Sequence, residues 1–90
     1  MKILYKPQRS DENIEYQFNG DVITATYKGV TDTFDFSYLP DGKAENIDTL
    51  LEINPILSAE RIDGKLKIVL LNFIGPEATG EEKFPKWMEV

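Results

Sequence analysis

The stretch that decides the fold runs from Ile14 to Tyr27 and reads IEYQFNGDVITATY. Apolar and polar residues alternate on both sides of Asn19-Gly20, which is the pattern of two strands that each bury one face. Asn-Gly is a preferred centre for a type I′ turn, because both residues tolerate positive φ. The sequence therefore predicts a β-hairpin with a fixed register. The expected cross-strand partners are Phe18 with Asp21, Tyr16 with Ile23, and Ile14 with Ala25.

A second tight turn at Lys28-Gly29 is predicted to add a third strand to the same sheet. Tyr27 then faces Val30 and Ile23 faces Phe34. Residues 13–36 thus form a meander with one apolar face and one solvated face. The solvated face is expected to be rich in threonine: Thr24, Thr26, Thr31 and Thr33.

Asp63-Gly64 predicts a second hairpin, between residues 56–62 and 65–74. The expected partners are Glu60 with Lys67, Ala59 with Ile68, and Leu57 with Leu70. From Lys67 to Phe73 the second strand is apolar on both faces, which is typical of a strand covered on both sides. We therefore expect Lys67–Phe73 to lie at the centre of the fold.

The remaining segments carry weaker signals. Pro40-Asp41-Gly42 has the chemistry of a turn. Ala44–Asn54 fits either a short helix or a strand, and we favour an extended segment from about Thr49. Thr79–Glu82 has capping-box spacing for at most a short helix, and Pro7–Asn13 resembles a linker too short to divide domains. We expect one domain over residues 1–90 that is mainly β, with about six antiparallel strands in two hairpin-based layers and at most one or two short helices.

The composition argues against catalysis. The 90 residues include no histidine and no cysteine, which excludes Ser-His-Asp and Cys-His sites, thiolate or imidazole zinc sites, and disulfides. Glycosidase chemistry needs two carboxylates across a cleft, and a thin domain of this size has little room for one. We therefore expect a protein that is not an enzyme and has no cofactor.

Among the acidic residues, Asp32 is exceptional because its predicted neighbours are apolar. With Asp35 it would be a metal ligand or an acid; alternatively, the strand bulges or ends there and the carboxylate meets water. The sequence contains no calcium-loop pattern and no phosphate-binding glycine motif. We therefore favour the structural interpretation and predict no metal site.

Two apolar sets are candidates for an interaction surface. One comes from the second hairpin, and the other lies in the aromatic C-terminal stretch, where a tryptophan is a frequent interface anchor. Alternatively, the first set packs under the meander and the tail folds back on its own sheet. The candidate residues are Ile56, Val69, Leu71, Phe73, Phe84 and Trp87.

Several stretches resemble a group of short phage and prophage proteins of Gram-positive bacteria. The similar stretches are LEINPILSA (51–59), LLNFI (70–74), EEKFPKW (81–87), TDTFDF (31–36) and PDG (40–42), and the resemblance extends over most of the chain. It implies a phage-related setting, in the cytoplasm of the host cell or on the virion, near tail or structural genes. It implies no catalytic residues.

The function expected is a protein-interaction or structural module, with a protein partner or a second copy of the chain as ligand. The net charge of −6 argues against binding to nucleic acid or to anionic membranes. No apolar run has the length of a signal-peptide core or a membrane span. The alternative is an acidic mimic of DNA that binds a nucleic-acid-binding protein, but the acidic residues are dispersed along the sequence.

Overall fold

Two β-sheets make up most of the structure, a computed structural model that describes residues 1–44, 46–77, 80 and 85–90. One sheet has the strand order β5-β6-β7-β1-β8 and the other has the order β2-β3-β4. The prediction of a mainly β fold is confirmed. The strands are β1 (Lys2–Arg9), β2 (Ile14–Asn19), β3 (Val22–Tyr27), β4 (Val30–Asp35), β5 (Gly42–Lys43), β6 (Ile56–Ile62), β7 (Lys65–Ile74) and β8 (Met88–Glu89).

The pairing of β1 with β7 was not predicted. These strands run parallel, with Lys2 opposite Lys67 and Arg9 opposite Ile74, so the expectation of a wholly antiparallel fold is wrong for this pair. Pro7 belongs to β1 rather than to a linker. A proline lacks the backbone N–H that donates in a β-ladder. On the edge of β1 opposite to β7, however, β8 pairs only with Lys2 and Ile3. None of the described strands therefore requires a donor from Pro7 at that edge.

The central position of β7 is confirmed. It lies between β6 and β1 in the middle of the five-stranded sheet. Glu60 faces Lys67 and Ala59 faces Ile68, as predicted, but the expected pairing of Leu57 with Leu70 is wrong. A β-bulge between Ile56 and Ser58 sets Ile56 opposite Leu70 instead. The extra residue turns Ile56 into the core and leaves Leu57 exposed.

In the meander, the register of β2 and β3 differs by two residues from the prediction. The central turn residues are Gly20 and Asp21, and of these only Gly20 has a positive φ, 59°. This is the pattern of type II′ turns, in which glycine occupies the first central position. Phe18 therefore faces Ile23 rather than Asp21. A shift of two preserves the face of every side chain and replaces an apolar–acidic pair with an apolar pair. The predicted pairing of β3 with β4 is confirmed.

The core lies between the two sheets. Ile23 from the meander is fully buried, as are Ile3, Ile68 and Leu70 from the five-stranded sheet. The opposite face of the meander is solvated as expected, and the hydroxyls of Thr26 and Thr31 lie 2.9 Å apart. Burial of these aliphatic side chains is the main favourable contribution to folding.

Residues 46–54 form neither the short helix nor the extended strand that were considered for them. The segment is irregular, with Leu51 buried in the core and the Nδ2 atom of Asn54 donating to the carbonyl of Ile47 at 2.8 Å. Side-chain hydrogen bonds thus replace ladder pairing here. The predicted helix cap at Thr79–Glu82 lies outside the described residues.

Arg61 of β6 joins the two sheets. Its guanidinium donates to the carboxylate of Asp21 at 3.0 Å and to the carbonyls of Phe36, Leu39 and Gly64 at 2.8, 2.7 and 3.0 Å. The side chain is only 13% exposed. Because the planar guanidinium reaches several acceptors at once, one residue fixes the first meander turn, the loop after β4 and the turn of the second hairpin.

Replacing Arg61 should destabilise the fold markedly. We expect Arg61→Met to lower the free energy of unfolding by about 2–4 kcal/mol, since it leaves the Asp21 carboxylate and three carbonyls without their donor. Urea unfolding followed by circular dichroism measures the change. Lys65→Met, at an exposed lysine across the same turn, is the matched control. Equal midpoints for the two variants would contradict this role.

Candidate functional site

A groove crosses the face of the five-stranded sheet that points away from the meander. We call it the outer groove; it has a volume of about 450 Å³. Its floor includes Ser58 and Val69, which are cross-strand partners on β6 and β7. Ile47 of the irregular segment and Trp87, next to β8, line it as well. The outer groove is therefore built from strands of one sheet and two segments outside their ladder.

Three apolar side chains of the groove remain substantially exposed to solvent. Leu57 is 45% exposed, Ile62 43% and Trp87 45%. Leu57 faces outward because of the bulge, and Ile62 lies at the end of β6 on the same side as Ser58. Exposed apolar side chains gathered around one concavity are a common feature of protein-binding surfaces.

Trp87 is held in place by the short strand β8. Met88 pairs with Ile3, and the amide of Val90 donates to the carbonyl of Met1 at 2.9 Å. The Nζ atom of Lys67 lies 5.3 Å from the centroid of the Trp87 ring, which is a favourable cation–π distance. The indole thus has one face against a cation of the sheet while nearly half of its surface stays open.

A row of charged residues crosses the five-stranded sheet, and part of this row lines the groove. The strand register aligns them in the order Lys43, Glu60, Lys67, Lys2 and Glu89, one from each of β5, β6, β7, β1 and β8. Three of the five are lysines. Lys43, Glu60 and Lys67 line the groove, so two ammonium groups flank one carboxylate at this part of its rim.

The structure places the described residues of the predicted interaction surface in different surroundings. Val69 and Trp87 line the outer groove, and Ile56 contributes from the bulge, although its side chain is buried in the core. Leu71 is buried too, and Phe73 packs against Tyr27 with ring centroids 5.9 Å apart. Phe84 lies outside the described residues. The candidate interaction surface as a whole remains a prediction.

Leu57 and Ile62 were not predicted as site residues. Strict alternation placed Leu57 on the core face, and the bulge that reverses it has no glycine or proline to signal it. Ile62 was detectable, because the Asp63-Gly64 turn places it on the same face as Glu60.

Asp32 anchors a loop. Its Oδ2 accepts hydrogen bonds from the amide of Leu50 at 2.9 Å and the hydroxyl of Thr49 at 3.0 Å, and its Oδ1 accepts from the amide of Thr33. The hydrogen bond from the Leu50 amide is the main cause that holds the pKa of Asp32 below its ordinary value of 3.8. Burial acts in the opposite direction, and the Thr49 hydroxyl and the Thr33 amide each add a smaller lowering effect. Among the residues that the structure describes, no group of three acidic side chains could hold a metal ion.

Tyr16 is a second polar group that stabilises the fold. Its hydroxyl donates to the carbonyl of Leu71, linking β2 to β7, and its ring lies 6.0 Å from that of Tyr5. Burial, and then the neighbouring Tyr5, raise the pKa of Tyr16. The phenol therefore stays protonated at neutral pH and acts as a donor, not as a nucleophile.

Asp32→Asn should weaken the attachment of the loop in a pH-dependent way. We expect the variant to lose about 1 kcal/mol of stability at pH 7, because an amide cannot accept all three hydrogen bonds. A lowered carboxyl pKa adds stability that is complete above the ordinary pKa of 3.8 and is lost as the pH falls through the folded value. The difference between wild type and variant in urea unfolding should therefore shrink below pH 3.8.

Asp35→Asn is the matched control for Asp32→Asn, because within the described residues the carboxylate of Asp35 accepts hydrogen bonds only from the amide and hydroxyl of Ser37, two residues away. Its effect should be smaller. A difference for Asp32→Asn that stays constant from pH 7 to pH 3 would contradict the anchoring role of the carboxylate.

The fluorescence of Trp87, the single tryptophan, reports the local charge of the groove. The net charge of −6 should attract cesium, whereas the nearby lysines should attract iodide, and short-range charges dominate at moderate ionic strength. After normalisation to N-acetyltryptophanamide, we expect iodide to quench more efficiently than cesium. Lys67→Gln should reduce iodide quenching and Lys28→Gln, at a distant turn, should not. Stronger normalised quenching by cesium would show that the groove is not locally positive.

Comparison with known proteins adds no assignment. The part of the chain that the structure describes contains no helix of the length and apolarity needed to cross a membrane. No protein-family model matches the chain, and no similar curated protein or solved structure was found.

Proposed function

We propose that this chain is a non-catalytic protein-interaction module that binds a segment of a partner protein in the outer groove. The observation that carries the proposal is the cluster formed by Leu57, Ile62 and Trp87, each more than two-fifths exposed around one concavity. Their transfer out of water on binding would supply the driving force. A tryptophan beside a groove is also a frequent anchor of binding energy.

The arrangement of the groove supports a protein ligand. Apolar side chains lie beside a charged row, which is the usual combination of apolar centre and polar rim in protein interfaces. The floor consists of paired strands, and a rigid floor reduces the entropy lost on binding. A structural or tail-associated role in a phage-related setting is part of the same proposal, and it is supported by the sequence resemblance alone.

Mimicry of DNA is the second candidate, and the distribution of charge favours it less. A mimic needs carboxylates in a regular, exposed array. Asp32 and Asp35 instead accept hydrogen bonds from their own chain, and Asp21 is paired with Arg61. The face with the outer groove carries lysines.

Peptide selection from a random display library tests the proposal. We expect selected peptides to shift the emission of Trp87, and Leu57→Ser/Ile62→Ser to weaken their binding at least tenfold, because each truncated contact contributes about 1 kcal/mol or more. Val30→Ser is the matched control, because Val30 is 46% exposed but belongs to the meander. Peptides that bind both variants equally, or that leave Trp87 unchanged, would contradict binding at the outer groove.

A further inference from the structure

Charge is divided unequally between the two sheets. The strands of the three-stranded sheet contain no lysine or arginine; their charged residues are Glu15, Asp32 and Asp35. The strands of the five-stranded sheet have only two acidic residues, Glu60 and Glu89. Their basic residues are Lys2, Lys6, Arg9, Lys43, Arg61, Lys65 and Lys67. A chain with a net charge of −6 therefore has one sheet that is locally basic.

Most of this positive charge is on the outer face. Residues directly opposite in a ladder share a face, so the register that puts Lys67 beside Lys2 and Lys65 beside Ile62 also puts these side chains on the side of Val69. Lys6 and Lys43 follow by the same alternation. Arg9 and Arg61 are the exceptions: the register sets Arg9 opposite Ile74 on the other face of the sheet, and the guanidinium of Arg61 points toward the meander and donates hydrogen bonds there. Five lysines thus share the face of the outer groove with Glu60 and Glu89.

Exposed lysines attract an anionic ligand, and the order of charges along the row indicates which class of anionic ligand fits. A nucleic acid presents a continuous line of phosphates, but Glu60 separates Lys43 from Lys67, and Glu89 follows Lys2. The groove between these charges is lined by Leu57, Val69 and Trp87, which favour apolar side chains. Separate positive points beside an apolar floor match a peptide that combines carboxylates with aliphatic side chains.

We infer that the partner segment bound by the outer groove is acidic, with carboxylates at Lys43 and Lys67 and aliphatic side chains against Val69 and Trp87. This inference rests on the proposed function and adds the chemistry of the ligand. The charge selects the partner and speeds its approach, while the apolar contacts hold it. The ammonium of Lys67 has two roles, because it contacts the indole ring of Trp87 and faces the incoming carboxylate.

Titration of Trp87 fluorescence with a designed peptide tests this inference. The probe is a decapeptide of glutamate, leucine and glycine, and its counterparts carry lysine or glutamine in place of every glutamate. We expect only the glutamate peptide to bind well, and Lys43→Gln/Lys67→Gln to weaken it about three- to tenfold, the range for two exposed ion pairs. Arg9→Gln/Lys28→Gln removes the same charge elsewhere and should change affinity less than about twofold. Added salt should weaken the wild-type complex.

Each other outcome overturns a distinct statement. If the lysine or glutamine peptide binds as well as the glutamate peptide, the ligand is not acidic, but the proposed function stands. If a single-stranded oligothymidylate saturates the signal more tightly than the glutamate peptide, the ligand class is nucleic acid. If none of these probes and no selected peptide alters Trp87, the proposed function itself fails. Sedimentation at the working concentration identifies self-association, which would make a second copy the occupant.

Discussion

The double-sided apolar character of β7 is the constraint on which the rest of the structure depends. Its inner face, with Ile68 and Leu70, is covered by the meander, which closes the core. The other apolar residues of β7 are covered unequally: Leu71 is buried in the core and Phe73 packs against Tyr27 of the meander, but Val69 lines the open groove on the outer face. A central strand is stable when both faces leave water. The incomplete cover on one side is what makes that side the candidate site.

Arg61 shows how a small domain joins two layers at one end. Transferring a guanidinium from water into a protein interior is costly unless its donors are satisfied. Here one carboxylate and three carbonyls, all from turns or loops, accept its hydrogen bonds. One side chain thus fixes irregular segments that lack ladder partners of their own. Arg61 stabilises the sheet from the face opposite to the outer groove.

The sequence allowed prediction of local pairing more than of long-range pairing. Turn chemistry and alternation identified the meander, the second hairpin and the central strand, because these depend on neighbouring residues. The parallel partner of β7 was missed, because Ile3 and Tyr5 alternate over too short a stretch and Pro7 suggested a break. The bulge at Leu57 was missed for a different reason. It depends on how Ile56 packs in the core, which the local sequence pattern does not reveal. Leu57, one of the three exposed apolar residues of the groove, depends on that bulge, so the site was only partly predictable.

The parallel ladder also imposes an order on assembly during synthesis. Lys2 and Lys67 pair although 65 positions separate them, whereas every pair in the meander is local and can close as soon as Asp35 has left the ribosome. Until β7 emerges, β1 is a nascent strand with Ile3 and Tyr5 uncovered and no partner on either edge. Unpaired apolar strands favour association with other chains. Lys2, Lys6 and Pro7 lie in this strand, and such residues oppose unwanted pairing. Thus β1 is made well before β7 and can join the sheet only after β7 has emerged, and the charges that line the finished face keep β1 apart from other chains in the interval.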